Sequence, residues 1–114
     1  MNEDSLTMIA YNDVSVNAVV NAMCGEKGMN LTYRNSHKAG DTLVETVIFE
    51  KLFWRTGLTT SLVINFFEQS SLVVCELAAC GGKAGFWQLD HGTGKSILKE
   101  AMITLGRYGF SERR

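Results

Sequence analysis

Three consecutive runs rich in β-forming residues occupy the middle of the chain, and turn-forming residues separate them. The runs cover residues 42–54, 58–67 and 72–79. The first break contains Arg55-Thr56-Gly57 and the second contains Glu68-Gln69-Ser70-Ser71. Such short breaks join antiparallel neighbours, because parallel strands need a crossover of about a dozen residues or more. The middle of the chain is therefore predicted to be a meander of antiparallel strands.

Alternation along the second and third runs predicts a sheet with one side facing a core. The residues assigned to that side are Leu58, Leu62, Ile64 and Phe66, then Val73, Cys75, Leu77 and Ala79. The other side mixes polar and apolar residues: Thr59, Ser61, Val63, Asn65 and Phe67, then Leu72, Val74, Glu76 and Ala78. In the first run, Glu50-Lys51 interrupts the alternation. A bulge or bend near Glu50 is predicted from that interruption.

Two amphipathic helices are predicted outside the meander. The first covers residues 15–24, with Ser15 as N-cap and Gly25 as the C′ residue. Its apolar positions recur at helical spacing: Val16, Val19, Val20 and Met23. The second is predicted from an N-cap at Thr93 to a C′ glycine at Gly106. Its apolar stripe consists of Ile97, Leu98, Ala101, Met102 and Leu105.

The remaining segments complete a predicted α+β fold. Short strands are predicted at residues 6–11, around residues 29–33 and, less regularly, at Phe86 to Leu89. Residues 35–41 are predicted to be a polar loop, and residues 111–114 are predicted to be a frayed tail. The order is then β-α-β-β-β-β-(β)-α. We expect one domain over residues 1–114, with an antiparallel sheet of four to six strands and both helices packed on one face.

Charge and the distribution of apolar residues argue against several classes of partner. The formal net charge is -1, which provides no general attraction to nucleic acid or to anionic lipid. The N-terminus is acidic, and no apolar run approaches the about 20 residues that a membrane span needs. Three cysteines, Cys24, Cys75 and Cys80, form no disulfide framework and are expected to be reduced. A cytoplasmic protein is expected.

The segment Gly92-Thr93-Gly94-Lys95-Ser96 is a candidate anion site. It ends like a phosphate-binding loop, but that motif needs a glycine five residues before Gly94, where this chain has Leu89. A weaker possibility is left open, in which backbone N–H groups, the helix dipole and the Lys95 ammonium bind a small anion such as phosphate. The alternative is a strand-to-helix turn that uses glycine only for its backbone angles.

Metal binding and catalysis receive little support from residue spacing. The chain has two histidines, His37 and His91, and no Cys-x-x-Cys or His-x-x-x-His pair. His91 follows Asp90, yet no nearby serine or cysteine is marked as a nucleophile. We therefore predict no metal, no cofactor and no catalytic residue, and leave open whether the protein is an enzyme.

The less hydrophobic side of the sheet is the second candidate site. The residues assigned to it as interface or pocket are Glu45, Phe49, Asn65, Phe67 and Glu76. Three interpretations remain open: a solvated face, a face buried against a second copy, or a ligand cavity in which paired carboxylates act as acid and base. Trp54, Phe86 and Trp87, near strand ends, suit either an interface or a cavity rim.

The later part of the chain resembles a known type of protein. From about residue 42 onward it combines paired β-runs, Gly81-Gly82 followed by Gly85-Phe86, then Asp90-x-Gly92 and a closing amphipathic helix. In these features it resembles a group of small uncharacterised bacterial proteins that form a domain-of-unknown-function family. The resemblance covers roughly the last two-thirds of the chain. It implies a bacterial cytoplasmic protein with no assigned activity, and no functional residue is carried over.

Two hypotheses about function follow. The leading one is a binding or interaction module without catalytic activity that forms homo-oligomers through one side of its sheet. The alternative is a small-molecule or anion-binding protein, or a small enzyme. Its ligand, anionic or apolar, would lie at Gly92 to Ser96 or in a sheet-face pocket lined by Glu45, Asn65 and Glu76.

Overall fold

Strands and helices of the chain are known from a computed structural model, which describes residues 5–11, 14–54, 57–81 and 93–113. Within these residues lie six strands and two helices. In chain order they are β1 (Ser5–Tyr11), α1 (Val16–Cys24), β2 (Asn30–Ala39), β3 (Thr42–Phe53), β4 (Leu58–Gln69), β5 (Leu72–Gly81), α2 (Thr93–Arg107) and β6 (Ser111–Glu112). The predicted α+β class and antiparallel sheet are confirmed.

All six strands form one antiparallel sheet in the order β2-β3-β4-β5-β1-β6. Strands β3 to β5 form the predicted meander, and β2 extends it by one more strand, because each of the four is joined to the next by a short turn. Strand β1 pairs with β5, so that Met8 lies opposite Cys75. The first strand of the chain therefore closes the meander on its far side, and β6 adds two residues beyond it.

Strand β2 is longer than the sequence predicted. It continues to Ala39, where Ala39 pairs with Thr42 across a turn of Gly40 and Asp41. The predicted loop at residues 35–41 is therefore wrong for residues 35–39. Residues 35–38 are all polar, which suits an edge strand whose ten residues are all exposed. Gly40 has φ of +61°, a conformation that glycine adopts without steric cost.

The irregularity in the sheet lies in β2 and not in β3. The pairing of β3 with β4 is continuous from Leu43 opposite Glu68 to Phe53 opposite Leu58, so a bulge near Glu50 is wrong. The register instead shifts between Leu31 and Tyr33. At the Glu50-Lys51 interruption, Glu50 is exposed on the side away from the helices, whereas Lys51 lies on the helix-covered side and its Nζ donates to the Glu100 carboxylate at 2.6 Å.

Helix α1 begins as predicted. The Ser15 side chain accepts a hydrogen bond from the backbone N–H of Ala18 at 3.1 Å, and Val16, Val19, Val20 and Met23 are buried. Gly25 is at the C-cap, with a right-handed φ of -81°. The positive φ comes later, at Gly28, which has φ of +82°.

The end of helix α2 differs from the prediction. The helix runs to Arg107, so Gly106 is inside it, and Gly109 with φ of +97° turns the chain. Phe110 is then buried, with its ring centroid 6.2 Å from that of Phe66 in an edge-on arrangement. The predicted frayed tail is wrong for Ser111–Glu112, because these residues pair with β1. Burial of Phe110 against Phe66 holds the chain next to the sheet, so that the two following residues can pair with β1.

One core joins both helices to one side of the sheet. Inward-facing strand residues and helix residues form a single buried cluster that includes Phe49, Leu62, Leu77, Val20 and Ile97. The predicted core sides of the second and third β-runs are confirmed for Leu62, Ile64 and Phe66 and for Val73, Cys75, Leu77 and Ala79.

A few predictions fall outside the described residues. The predicted strand at Phe86 to Leu89 belongs to residues 82–92, as do Trp87, His91 and the glycines Gly82, Gly85 and Gly92. Among the described helices, none is both long and apolar enough to cross a membrane.

Candidate functional site

The side of the sheet that faces away from both helices is called the open face here. Its central part consists of fifteen side chains, three on each of β2, β3, β4, β5 and β1, arranged in rows by the strand register. Residues nearer the strand ends, such as Glu50, Ser61 and Leu72, extend the same face. The central row is Asn35, Thr46, Asn65, Glu76 and Thr7. The first flanking row is Tyr33, Ile48, Val63, Ala78 and Ser5, and the second is His37, Val44, Phe67, Val74 and Ile9.

The two flanking rows are apolar at every position on β3, β4 and β5. All six of these side chains are partly buried, because neighbours within the sheet shield one another. An antiparallel sheet with a solvated side normally alternates apolar and polar residues along each strand. This sheet places apolar residues on both of its sides, which is typical of a sheet with a second surface packed against it.

The central row is polar across all five strands and almost uncharged. The Thr46 hydroxyl donates to Asn65 Oδ1 at 2.6 Å. At the β2 end, Asn35 Nδ2 donates to the Tyr33 hydroxyl at 3.1 Å and lies 3.2 Å from His37 Nε2. Glu76 is exposed, and its carboxylate has no hydrogen bond or ion pair with any described residue. It is the one formal charge among these fifteen central residues, while Glu50 lies farther along β3 on the same face.

A groove of about 700 Å³ crosses one end of the open face. Its walls come from β1, β4 and β5, and the chain after α2 contributes Glu112 and Arg113. The Arg113 backbone N–H donates to the Thr7 carbonyl at 2.8 Å, which holds this segment against β1. The groove therefore brings Glu76, Asn65 and Arg113 to one place.

The structure separates the residues assigned to the sheet-face site. Asn65, Phe67 and Glu76 lie on the open face, whereas Glu45 and Phe49 lie on the helix-covered side, opposite Phe66 and Leu62. Placing Glu45 and Phe49 with the other three was wrong. Four residues, 54–57, connect β3 to β4, so odd-numbered residues of β3 pair with even-numbered residues of β4. A pocket that shares Glu45 with Asn65 and Glu76 is therefore not formed.

Glu45 belongs instead to a polar cluster between β2 and α1. Its carboxylate accepts from Arg34 Nε, and Arg34 Nη2 donates to Asn17 Oδ1 at 2.9 Å. Partial burial raises the pKa of the nearby Glu68 carboxyl, and the negative charge of Glu45 raises that pKa further. The cluster ties the exposed edge strand to α1. Sequence reasoning missed Arg34, Asn17 and Glu68, although a glutamate inside the apolar first run was a signal for a paired charge.

Comparison with known proteins identifies the family. The sequence matches a family of unknown function, DUF6054, over residues 4–109. The chain belongs to this family. The match includes β1, α1 and β2, so it is wider than the resemblance based on residues 42 onward. Searches of curated proteins and of solved structures found no match.

The predicted anion site of this DUF6054 member is only partly described. Thr93, Gly94, Lys95 and Ser96 form the first turn of α2, and Gly92 lies outside the described residues. The side chains of Lys95 and Ser96 are exposed. Anion binding at this turn stays a prediction.

Metal ligands and thiols of the DUF6054 chain are scattered. Within the described ranges, no three His, Cys, Asp or Glu residues are grouped so that they could hold a metal ion. All three cysteines are free, with Cys24 and Cys80 exposed and Cys75 buried. Burial raises the pKa of the Cys75 thiol to about 12, so this thiol is not a nucleophile at neutral pH.

Proposed function

We propose that the protein is a self-associating binding module in which the open face of one copy packs against the open face of a second copy. The observation that carries this proposal is the apolar composition of the open face on β3, β4 and β5, together with a core that holds both helices on the opposite side. Because neither helix covers these residues, a second surface is needed to remove them from water.

The size of the open face supports a second copy as its cover. Four of its five strands have 10 or 12 residues. With strands about 4.8 Å apart and about 3.3 Å per residue, five strands of ten residues present a surface of roughly 24 by 33 Å. That area is about 800 Å², which equals the area that each partner buries in a typical stable interface.

The edges of the sheet are less suited to self-association than the open face. Strand β2 offers a free edge, but Arg34 and Lys38 project from it and its register shifts between Leu31 and Tyr33. Charged side chains and bulges on an edge strand disfavour pairing with another strand. The proposal therefore assigns the contact to the face.

Solution mass tests the proposal. Sedimentation equilibrium over a range of concentrations should give an average mass that rises from 12.6 kDa toward twice that value. Phe67→Lys on the open face should keep the protein monomeric at every concentration. Ile103→Lys is the matched control, because Ile103 is an apolar residue on α2 that is 53% exposed. It should leave the association unchanged, and circular dichroism should show both variants folded.

A monomeric wild-type protein at the highest concentration would overturn the proposal. Equal loss of association in the Phe67 and Ile103 variants would also contradict it, since a non-specific effect of added charge would then explain the result. In keeping with free cysteines, we propose that the module acts in the reducing cytoplasm, without a membrane or nucleic-acid partner.

The groove beside Glu76 favours a second candidate function, binding of a small polar ligand. Its volume of about 700 Å³ falls in the range of ligand sites. Glu76 and Arg113 supply charges of opposite sign to this groove. Thermal unfolding with a panel of amines, amino acids, phosphates and small apolar acids tests this candidate, because a ligand of the folded state raises the melting temperature. Glu76→Gln should abolish the shift, and a panel without any shift would rule the candidate out for those ligand classes.

A further inference from the structure

We propose that the central polar row sets how two copies are arranged, with the two-fold axis along β4 and Glu76 of each copy facing Thr46 of the other. This inference rests on the proposed self-association. It adds which residues of the two copies face each other, and it assigns to Glu76 the exclusion of the alternative arrangement. Strand β4 is the middle one of the five strands of the open face, and Asn65 is the middle residue of its central row.

Two simple arrangements bring this face against itself. Both have a two-fold axis in the plane between the sheets, because an axis perpendicular to that plane cannot bring the same face of two copies together. The axis lies either across the strands, along the central row, or parallel to the strands, along β4. Sheets packed this way are about 10 Å apart, so the side chains of the two copies meet at the midplane.

An axis across the strands stacks each strand on its own copy. The central row then lies on itself, and Glu76 faces Glu76 of the second copy. Two carboxylates brought together in a surface that excludes water repel each other strongly, and each also loses its hydration. The described cation nearest to the pair is Arg113, which lines the same groove on the far side of β1. In this arrangement Arg113 would face Arg113 of the second copy, so like charges would meet at that position as well. The charge of Glu76 therefore acts against this arrangement.

An axis along β4 stacks β5 on β3 of the second copy. Glu76 then faces Thr46, whose hydroxyl is a hydrogen-bond donor. At present that hydroxyl donates to Asn65 Oδ1. Asn65 lies on the axis and faces itself, so the two amides can bond to each other and release the hydroxyls for the carboxylates. A hydrogen bond to a charged acceptor is stronger than the neutral one it replaces.

The flanking rows fit the same arrangement. Ile48 lies over Ala78 of the second copy, so that a large side chain meets a small one, and Val44 lies over Val74. Val63 and Phe67 each meet themselves near the axis. Interdigitated large and small side chains fill an interface at the density of a protein core. Apolar residues thus face apolar residues, while polar residues face polar residues.

Cysteine cross-linking distinguishes the two arrangements while Glu76 stays in place. The background variant is Cys24→Ser with Cys80→Ser, which removes the exposed thiols and keeps the buried Cys75. Val44→Cys and Val74→Cys proteins are mixed and treated with a bismaleimide that spans about 10 Å, the spacing of packed sheets. The matched control mixture pairs Val44→Cys with Ile48→Cys, which face each other only when the axis crosses the strands.

The expected result is a cross-linked heterodimer from Val44→Cys with Val74→Cys and none from the control mixture. In the same assay Glu76→Gln should allow both mixtures to link, because the charge that excludes one arrangement is gone. Asn65→Cys lies on the axis in both arrangements and should link to itself. It reports on face-to-face contact alone.

The outcomes of the cross-linking experiment distinguish failure of the proposed arrangement from failure of the proposed self-association. If Asn65→Cys does not link and the wild-type protein is monomeric, the proposed self-association fails. If Asn65→Cys links but the control mixture cross-links instead of Val44→Cys with Val74→Cys, the arrangement proposed here is wrong. The same holds if Glu76→Gln leaves the pattern of cross-links unchanged, since Glu76 would then not select the arrangement.

Discussion

The two sides of the sheet have similar apolar residues but different surroundings. On the helix-covered side Phe49, Leu62, Ile64 and Phe66 are fully buried, whereas the open face carries Val44, Ile48, Val63 and Phe67 only partly buried. Two helices of 9 and 15 residues cover one side of a six-stranded sheet and nothing described covers the other. Residue type alone therefore does not tell a folding core from an interaction surface. The two sides are distinguished instead by which of them the helices cover.

The largest expected difference between the two sides comes from neighbouring phenylalanines on β4. Phe66→Ala should lower the free energy of unfolding by about 3–5 kcal/mol, because it empties a buried site beside Phe110. Phe67→Ala should lower the stability of the monomer by only about 1 kcal/mol and should weaken the association of two copies. Urea denaturation at low protein concentration measures the first effect, and sedimentation measures the second. Equal loss of monomer stability in both variants would erase the distinction between the sides.

The ion pair of the helix-covered side is expected to give the next largest effect. Arg34→Ala leaves the carboxylate of Glu45, whose side chain is 10% exposed, without its partner. Loss of a hydrogen bond to a charged group should cost about 2 kcal/mol in urea denaturation. Lys38→Ala is the control, because Lys38 lies on the same side of β2 and is exposed. A cost as large for Lys38 as for Arg34 would mean that β2 is sensitive to any substitution.

Loss of the N-cap of α1 is expected to lower the stability of the monomer without changing the association of two copies. Ser15→Ala removes the acceptor of the Ala18 N–H and should cost about 1 kcal/mol of stability. Because α1 lies on the helix-covered side, the association constant of two folded copies should not change. Parallel denaturation and sedimentation experiments test both statements. A weakened association in a folded Ser15→Ala protein would place α1 in the contact between copies.

The smallest effect concerns pH. The pKa of Glu68 is raised above its ordinary value of 4.5 by partial burial and by the charge of Glu45. The folded protein therefore binds a proton that the unfolded chain has released, and stability falls as the pH rises through the interval above 4.5. Glu68→Gln should make this decline shallower and raise the stability at pH 7. Denaturation midpoints between pH 4 and 7 measure it, with Glu50→Gln as the control for loss of a carboxylate. An unchanged slope would contradict the assignment.

The sequence predicted much of the fold but only part of the site. The α1 cap, the stripe of α2 and the alternation of β4 and β5 were readable because each depends on neighbours within a few residues. The face assignments of Glu45 and Phe49 were wrong because the register of β3 against β4 depends on the geometry of the connecting loop. A shift of one residue in strand pairing moves a side chain to the other side of a sheet.

The local pattern of residues established the class of fold: strands with period two, helices with a 3.6-residue stripe, and turns short enough to require antiparallel neighbours. Only the tertiary structure decided that β1 closes the meander beside β5, that Glu45 is held by Arg34 near α1, and that Glu76 lies in the central row of the open face. Local spacing constrains which side chains share an element. The side that each element presents to the others is set by long-range pairing, because burial of the whole apolar surface and not any single turn selects it.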